Sequence, residues 1–208
     1  MWEIRYSVLA SSNSSLSESP VQQIMAPTTV GIRGISDMTA TDIPGVNLRR
    51  ASVSDLPFIM ATERGPDFER FVGRWSEDEH RAALASPGYA YLLGKPDDGN
   101  LAGFSILRDI DDAHGNVCLM RIAVTHPGHG FGSRLLRSTV DWVFRNTSTY
   151  RLWLDVLEDN ARAKHVYQSA GFVPEGVLRR AYKLPDGDRI NLITMSLLKA
   201  EWRTVRAG

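Results

Sequence analysis

The stretch HPGHGFGSRLL, residues 126–136, sets Gly128, Gly130 and Gly132 at alternate positions between an apolar run and an amphipathic one. That is the composition of a tight turn leading from a strand into a helix. Backbone N–H groups at a helix start have no intrahelical partner, and the helix dipole adds about half a positive charge there. Glycines let an anion reach those amides with no Cβ in the way. The chemistry on offer is phosphate binding by the amides of residues 128–133, with His129 and Arg134 able to add positive charge. On these residues alone, a plain turn that uses glycine only for positive φ is equally open. Two other phosphate loops are not matched. No lysine follows the glycines, as a P-loop requires. G-x-G-x-G late in the chain is not the G-x-G-x-x-G of an early dinucleotide-binding βαβ unit.

A second stretch lies about 30 residues on: NARAKHVYQSAGF, residues 160–172. Its spacing predicts a short helix capped by Asn160 and ended by Gly171. Ala163, Val166, Tyr167 and Ala170 fall on one face, so by spacing alone Tyr167 reads as core and Asn160 as a cap. Taken with RIAVTHPGHGFGSRLL, the stretch resembles the GCN5-related N-acetyltransferase (GNAT) family. That family carries a pattern close to V-x-P-x-x-[RQ]-x-x-G-x-[GA], then N-x-x-A-x-x-x-Y-x-x-x-G-F. Asn160, Ala163, Tyr167, Gly171 and Phe172 stand at those intervals, and the resemblance runs from about Val46 to Leu198.

The resemblance implies an acyl-coenzyme A N-acyltransferase fold and acetyl-coenzyme A as cosubstrate. Gly128, His129, Gly130, Phe131, Gly132 and Ser133 would cradle its pyrophosphate. Ile122, Ala123 and Val124 would pair with its pantetheine arm, in the manner of an added strand. Asn160 and Ala163 would lie along that arm, and Tyr167 beside the thioester sulfur. An amine attacks the thioester carbonyl, a backbone N–H of the strand stabilises the oxygen, and Tyr167 protonates the departing thiolate. A phenol near pKa 10 is a slightly weaker acid than a thiol near about 8.5, but the sulfur is more basic while it is still leaving, so the transfer is feasible from a general acid. No metal is called for. The alternative implied by the same fold is a non-catalytic acyl-coenzyme A-binding regulatory module.

Two departures stand out. Pro127 occupies the position of the family's Gln or Arg, so a side-chain contact to the phosphates is lost there. The strand NVCLMRIAV lacks the carboxylate that many relatives use as general base. Candidates elsewhere are Glu63, Asp67, Glu69, Asp111, Asp112, His114 and Glu175. The resemblance implies an acceptor region on TERGPDFERFVGRW and LRRAYKLPDGD, with Phe68, Phe71, Trp75, Arg179, Arg180 and Tyr182. The closing segment looks like the ribosomal-protein N-terminal acetyltransferase branch. The acceptor is an amine on a protein N-terminus, a small molecule or an amino acid.

Several elements must position these residues. VNLRRAS reads as a strand, followed by a helix with Ser54 as N-cap and Pro57 in its first turn. SEDEHRAALAS reads as a helix with a capping box of Ser76 and Glu79. YAYLLGK and LAGFSILRD form a hairpin, and NVCLMRIAV extends that sheet. A helix from about Gly130 to Asn146 buries Leu136, Val140, Val143 and Phe144. YRLWLDVLE is a strand with Leu152, Leu154 and Val156 on one face, and VPEGVLRRAYKL and RINLITMSLL close the sheet. The expected fold is mixed α+β, with a mainly antiparallel twisted sheet of six to seven strands and about four helices. The domain would span residues 45–200. Residues 1–44, serine-rich and without apolar period, read as a disordered or extended tail, and 201–208 as a C-terminal tail.

The 208 residues carry 24 basic and 24 acidic side chains, so no basic excess points to nucleic acid or an anionic membrane. The one cysteine, Cys118, excludes an internal disulfide and reads as a small buried residue. No apolar run is long enough to span a membrane, and the N-terminus lacks a signal-peptide core. The expectation is a cytoplasmic monomer or homodimer.

Overall fold

A computed structural model describes residues 45–65, 74–97, 99–184 and 186–207. Seven strands form one sheet in the order β1-β2-β3-β4-β5-β7-β6. They are β1 (Asn47–Arg50), β2 (Tyr89–Lys95), β3 (Gly103–Arg108), β4 (Asn116–Val124), β5 (Arg151–Leu157), β6 (Val173–Lys183) and β7 (Arg189–Leu198). The helices are α1 (Leu56–Glu63), α2 (Glu77–Ala85), α3 (Phe131–Asn146), α4 (Ala161–Ser169) and α5 (Lys199–Ala207). Every strand pair is antiparallel except β4–β5. The mixed α+β class holds, with five α-helices among the described residues against about four expected.

Alternation sorts the strands' side chains onto two apolar layers. Leu152, Leu154 and Val156 of β5 and Met195 and Leu197 of β7 face Leu135, Leu136, Val140, Val143 and Phe144 of α3. On the other face, Tyr91, Leu93, Phe104 and Ile106 meet Leu56 and Ile59 of α1 and Ala83 of α2. Close approach of α3 to the sheet depends on the paired Gly94 and Gly103. A Cβ on Gly94 would stand 2.6 Å from Leu135 Cδ1, and one on Gly103 2.9 Å from Leu135 Cδ2.

The Ser76–Glu79 capping box is present as expected, with Glu79 N–H donating to Ser76 Oγ. At the first helix the cap differs. Ser52, not Ser54, starts a 3-10 turn over Val53–Asp55, and α1 follows from it. The reason is Asp55. Its carboxylate accepts from the Ser52 N–H at 2.8 Å and from both terminal nitrogens of Arg49 at 2.8 and 2.6 Å. The Arg49 guanidinium holds the Asp55 carboxyl well below the usual carboxylate range, and the Ser52 groups add to this against the cost of burial. Because the folded pKa is depressed, the pair's stabilisation is present above the unfolded value near 4 and fades as pH falls below it. Asp55→Asn is expected to cost about 1 kcal/mol at pH 7, modest because Arg49 is half exposed. Urea melts at pH 7 and pH 3 should show that difference shrinking at the lower pH.

The expected C-terminal tail is helical over residues 201–207. Lys199–Ala207 form α5, whose Trp202 stacks on Phe144 at 5.3 Å and donates its indole N–H to Asp141 at 2.9 Å. Glu201 reaches back to accept the Leu198 N–H. Residues 1–44, and with them the expected tail, lie outside the described residues. Among the described residues no helix is long and apolar enough to cross a membrane.

Candidate active site

The site begins where two strands part. β4 runs parallel to β5 only through Asn116–Arg151, Val117–Leu152 and Cys118–Trp153. Past Cys118, β4 is paired on its other side with β3 alone, as far as Val124. The backbone of Leu119–Val124 that faces β5 is therefore an open edge inside the sheet, able to accept an extended ligand as a strand would. Ile122, Ala123 and Val124 all lie on it.

A bulge sharpens this arrangement. Ile106 pairs with Arg121 but Leu107 with Leu119, so Met120 is an extra residue on β4. The insertion resets the alternation. Val117 and Leu119 face the α3 layer before it, and Ile122 and Val124 after it, while Met120 and Ala123 pack on the α1 side. Arg121 also points to the α1 side, where its guanidinium reaches Glu63 at 3.0 Å and lies over Trp75 at 4.5 Å.

At the open end of β4 sits the glycine turn. Gly128 and Gly130 have φ of 104° and 76°, the left-handed region that disfavours side chains. Gly130 is the N-cap of α3, and no side chain caps that helix. The first amides of α3 thus remain available to an anion, and the space a Cβ on Gly128 would take is open, with nothing within 4 Å of that point. Gly128, His129 and Gly130 are exposed, Phe131 is buried against the core, and Gly132 and Ser133 are half-buried. The donor set, amides plus open strand edge, fits a pyrophosphate continued by an amide-bearing arm.

Across the gap stands α4. Asn160 caps it through its side-chain oxygen, which accepts from Ala163 N–H at 3.0 Å. Its carboxamide nitrogen has no partner among the described residues, so capping leaves a donor free. Ala163, Val166 and Tyr167 pack on the same apolar layer as Ile122. The Tyr167 ring meets Phe172 at 5.9 Å, and its hydroxyl bonds to no protein group among the described residues. Burial pushes the phenol up to about 12, so it is protonated at neutral pH.

The base candidates divide. Glu63 is fully buried and committed: Arg121 and Arg64 donate to it at 3.0 and 2.8 Å, and His80 Nε2 lies 3.3 Å away. Asp112 ties its own loop through the N–H groups of His114 and Asn116. Glu175 is held by Arg151 and Ser196. Asp111 and His114 are exposed on the β3–β4 loop. Asp67, Glu69, Phe68 and Phe71 lie outside the described residues. The sequence reading missed Asp155. It is exposed on β5, two positions past the last β4–β5 pair, on the face opposite Leu154. Thr194 Oγ1 donates to one of its oxygens at 2.6 Å. The alternation of RLWLDVL was the available signal, because a carboxylate among inward leucines marks the other face. Cys118 is buried as expected, and burial pushes its thiol up to about 12.

The pattern of the acetyltransferase (GNAT) family matches residues 58–172. The chain is similar to the [ribosomal protein bS18]-alanine N-acetyltransferase of Haemophilus ducreyi, 30% identical over 118 residues that cover 55% of this chain and 78% of that one. It is also similar to the spermidine N(1)-acetyltransferase of Vibrio cholerae, 34% identical over 80 residues, 38% of this chain and 46% of that one. The fold is that of the Vibrio cholerae spermidine N-acetyltransferase solved with CoA and spermine, with a TM-score of 0.69 at 23% identity, covering 76% of this chain and 98% of the other. The open edge of β4, the uncapped glycine turn and the matched pattern agree: the chain belongs to the GNAT family of acetyl-coenzyme A-dependent acetyltransferases.

Proposed function

We propose that this chain acetylates a primary amine by direct attack in a ternary complex, with Tyr167 as general acid and Asp155 receiving the amine's proton. The parting of β4 and β5 after Cys118–Trp153 carries the reading. It opens the sheet between a face bearing Tyr167 and a face bearing Asp155, so donor and acceptor meet through the gap. Acetyl-coenzyme A supplies the activated thioester. The amides of residues 128–133 hold its phosphates, the edge of Ile122, Ala123 and Val124 orients its arm, and Asn160 and Ala163 line the opposite side.

The proton inventory supports these roles. A phenol near 12 is a weak acid for a free thiolate, but the sulfur is more basic while its bond to carbon is still breaking, so the transfer is within reach of a general acid. Beside its bond from Thr194, Asp155 has one oxygen with no hydrogen-bond partner among the described residues. The buried, unpaired Cys118 fits a reducing compartment, and a cytoplasmic location is part of the proposal.

The test is release of free thiol from acetyl-coenzyme A when the protein is offered a panel of amines and short peptides. Turnover with at least one acceptor is expected, and tight coenzyme A binding with no turnover would leave a regulatory module instead. Asp155→Asn is expected to lower kcat/KM at pH 7 by about 10²-fold, with the loss shrinking as pH rises and free amine accumulates. A rate unchanged at pH 7 would remove Asp155 from the role.

A further inference from the structure

The last hairpin contains a built irregularity. Between the Leu178–Leu192 and Tyr182–Ile190 pairs, β6 places Arg179, Arg180 and Ala181 opposite the single Asn191 of β7. Two residues are therefore looped out. Arg180 sits at φ 52°, a left-handed conformation that a non-glycine residue keeps only when its surroundings hold it. Asn191 does the holding. Its Oδ1 accepts the Arg180 N–H at 2.8 Å, its Nδ2 donates to Glu158 at 2.8 Å, and its carbonyl accepts the Glu158 N–H at 3.1 Å. Arg189 adds a donor to the Arg180 carbonyl at 3.3 Å. Glu158 belongs to the turn between β5 and α4, two residues before Asn160. The bulge is thus tied to the open end of the gap, at the level of the Leu157–Leu192 pair.

The bulge displays two exposed guanidinium groups, Arg179 and Arg180, and neither has an ion-pair partner among the described residues. Two of the neighbouring carboxylates are engaged elsewhere, Glu158 with Asn191 and Glu175 with Arg151 and Ser196. A strained, braced turn that presents uncompensated positive charge beside the transfer site calls for an anion.

We propose that Arg179 and Arg180 form an acceptor subsite that recognises a carboxylate, so that the substrate is a primary amine also carrying an acidic group. This rests on the transferase reading above. Guanidinium is the side chain best shaped for a carboxylate. The same two charges repel a polyamine, which separates this chain from relatives named for spermidine. The carboxylate belongs either to a free amino acid or to an acidic residue behind a peptide's N-terminal amine.

The experiment compares acceptor pairs that differ in one charge: alanine against alaninamide, and alanyl-aspartate amide against alanyl-asparagine amide, with spermidine as a third arm. Thiol release from acetyl-coenzyme A gives kcat/KM for each. In the unmodified chain the anionic member of one pair is expected to lead its neutral partner by about tenfold or more, with a lead that narrows as salt rises. Which pair shows it distinguishes amino acid from peptide. Arg179→Gln with Arg180→Asn keeps a residue that tolerates the left-handed turn and is expected to bring the ratio close to one, through a fall in the anionic acceptor's kcat/KM. Equal rates within both pairs, spermidine as the best acceptor, or a ratio that survives the double substitution would each overturn the subsite while leaving the transferase reading intact. Release with no amine at all would overturn that reading, and the subsite with it.

Discussion

Tyr167→Phe is expected to lower kcat by about 10² to 10³-fold while leaving the fold and the KM for acetyl-coenzyme A nearly unchanged. The contrast follows from what the side chain touches. The ring packs on Phe172 and the α3 layer, and phenylalanine keeps that packing. The hydroxyl has no protein partner among the described residues, so its removal strands no donor or acceptor. Removing such a group costs the fold little. A core tyrosine would behave in the opposite way, with a stability change and an unaltered rate. The pH dependence gives a second check. Because burial raises the phenol to about 12, Tyr167 stays protonated as pH rises through the assay range. The wild-type rate should show no falling limb from this group between about pH 7 and 10. Steady-state kinetics and a thermal melt on the same preparation test both halves, and a kcat within twofold of wild type would remove Tyr167 as the acid.

Local signals account for what could be read in advance. Each strand was visible because apolar side chains recur at period two or fill a short run between turns, as in YAYLLGK and RINLITMSLL. The glycine turn was visible because only glycine takes the backbone of residues 128 and 130 without strain. Asn160 and Tyr167 were visible as a spacing, and Tyr167 packs on the same layer as Ile122. The features that escaped are tertiary. The parting of β4 from β5 depends on two strands separated by α3, and no residue in either announces it. The extra residue Met120 resets the facing of Arg121, which strict alternation from Val117 and Leu119 would send towards α3. Helix α5 is short, with few apolar residues to set a period, and one side chain, Trp202, docks it on Phe144 and Asp141. Ser54 lost the cap to Ser52 because Arg49 had already fixed Asp55 beneath it. Glu63 looked like a base because charge at a helix end is usually solvated, whereas here three cationic or imidazole groups close around it.

That closure sets the largest expected effect on stability. Glu63 has no exposed surface and Arg121 little, and the two bond at 3.0 Å with Arg121 over the Trp75 ring. Arg64 and the Trp75 N–H reach the other Glu63 oxygen, and His80, bonded to the Tyr91 hydroxyl at 3.1 Å, completes the shell. Burial pulls the Arg121 guanidinium below its ordinary value while Glu63 opposes the shift, so the pair depends on its own attraction. Glu63→Ala leaves Arg121 buried beside His80 without its counter-charge, and such losses cost about 3–5 kcal/mol. A fall in melting temperature of roughly 10 °C is expected for a domain of this size. Replacing both partners, Glu63→Leu with Arg121→Met, removes the stranded charge and should recover much of the loss. That pattern, a double variant more stable than the single, separates a buried ion pair from simple loss of packing, for which the two changes would add. We propose that the network also positions the acceptor region. Glu63 ends α1, Trp75 leads into α2, and Arg64 donates to the Trp75 carbonyl at 2.7 Å, so both flanks of residues 66–73 are fastened to the β4 bulge. Releasing them should raise the KM for the amine more than the KM for acetyl-coenzyme A, because the donor's edge on β4 keeps its partner β3. Equal rises in both constants would mean that the network serves stability alone.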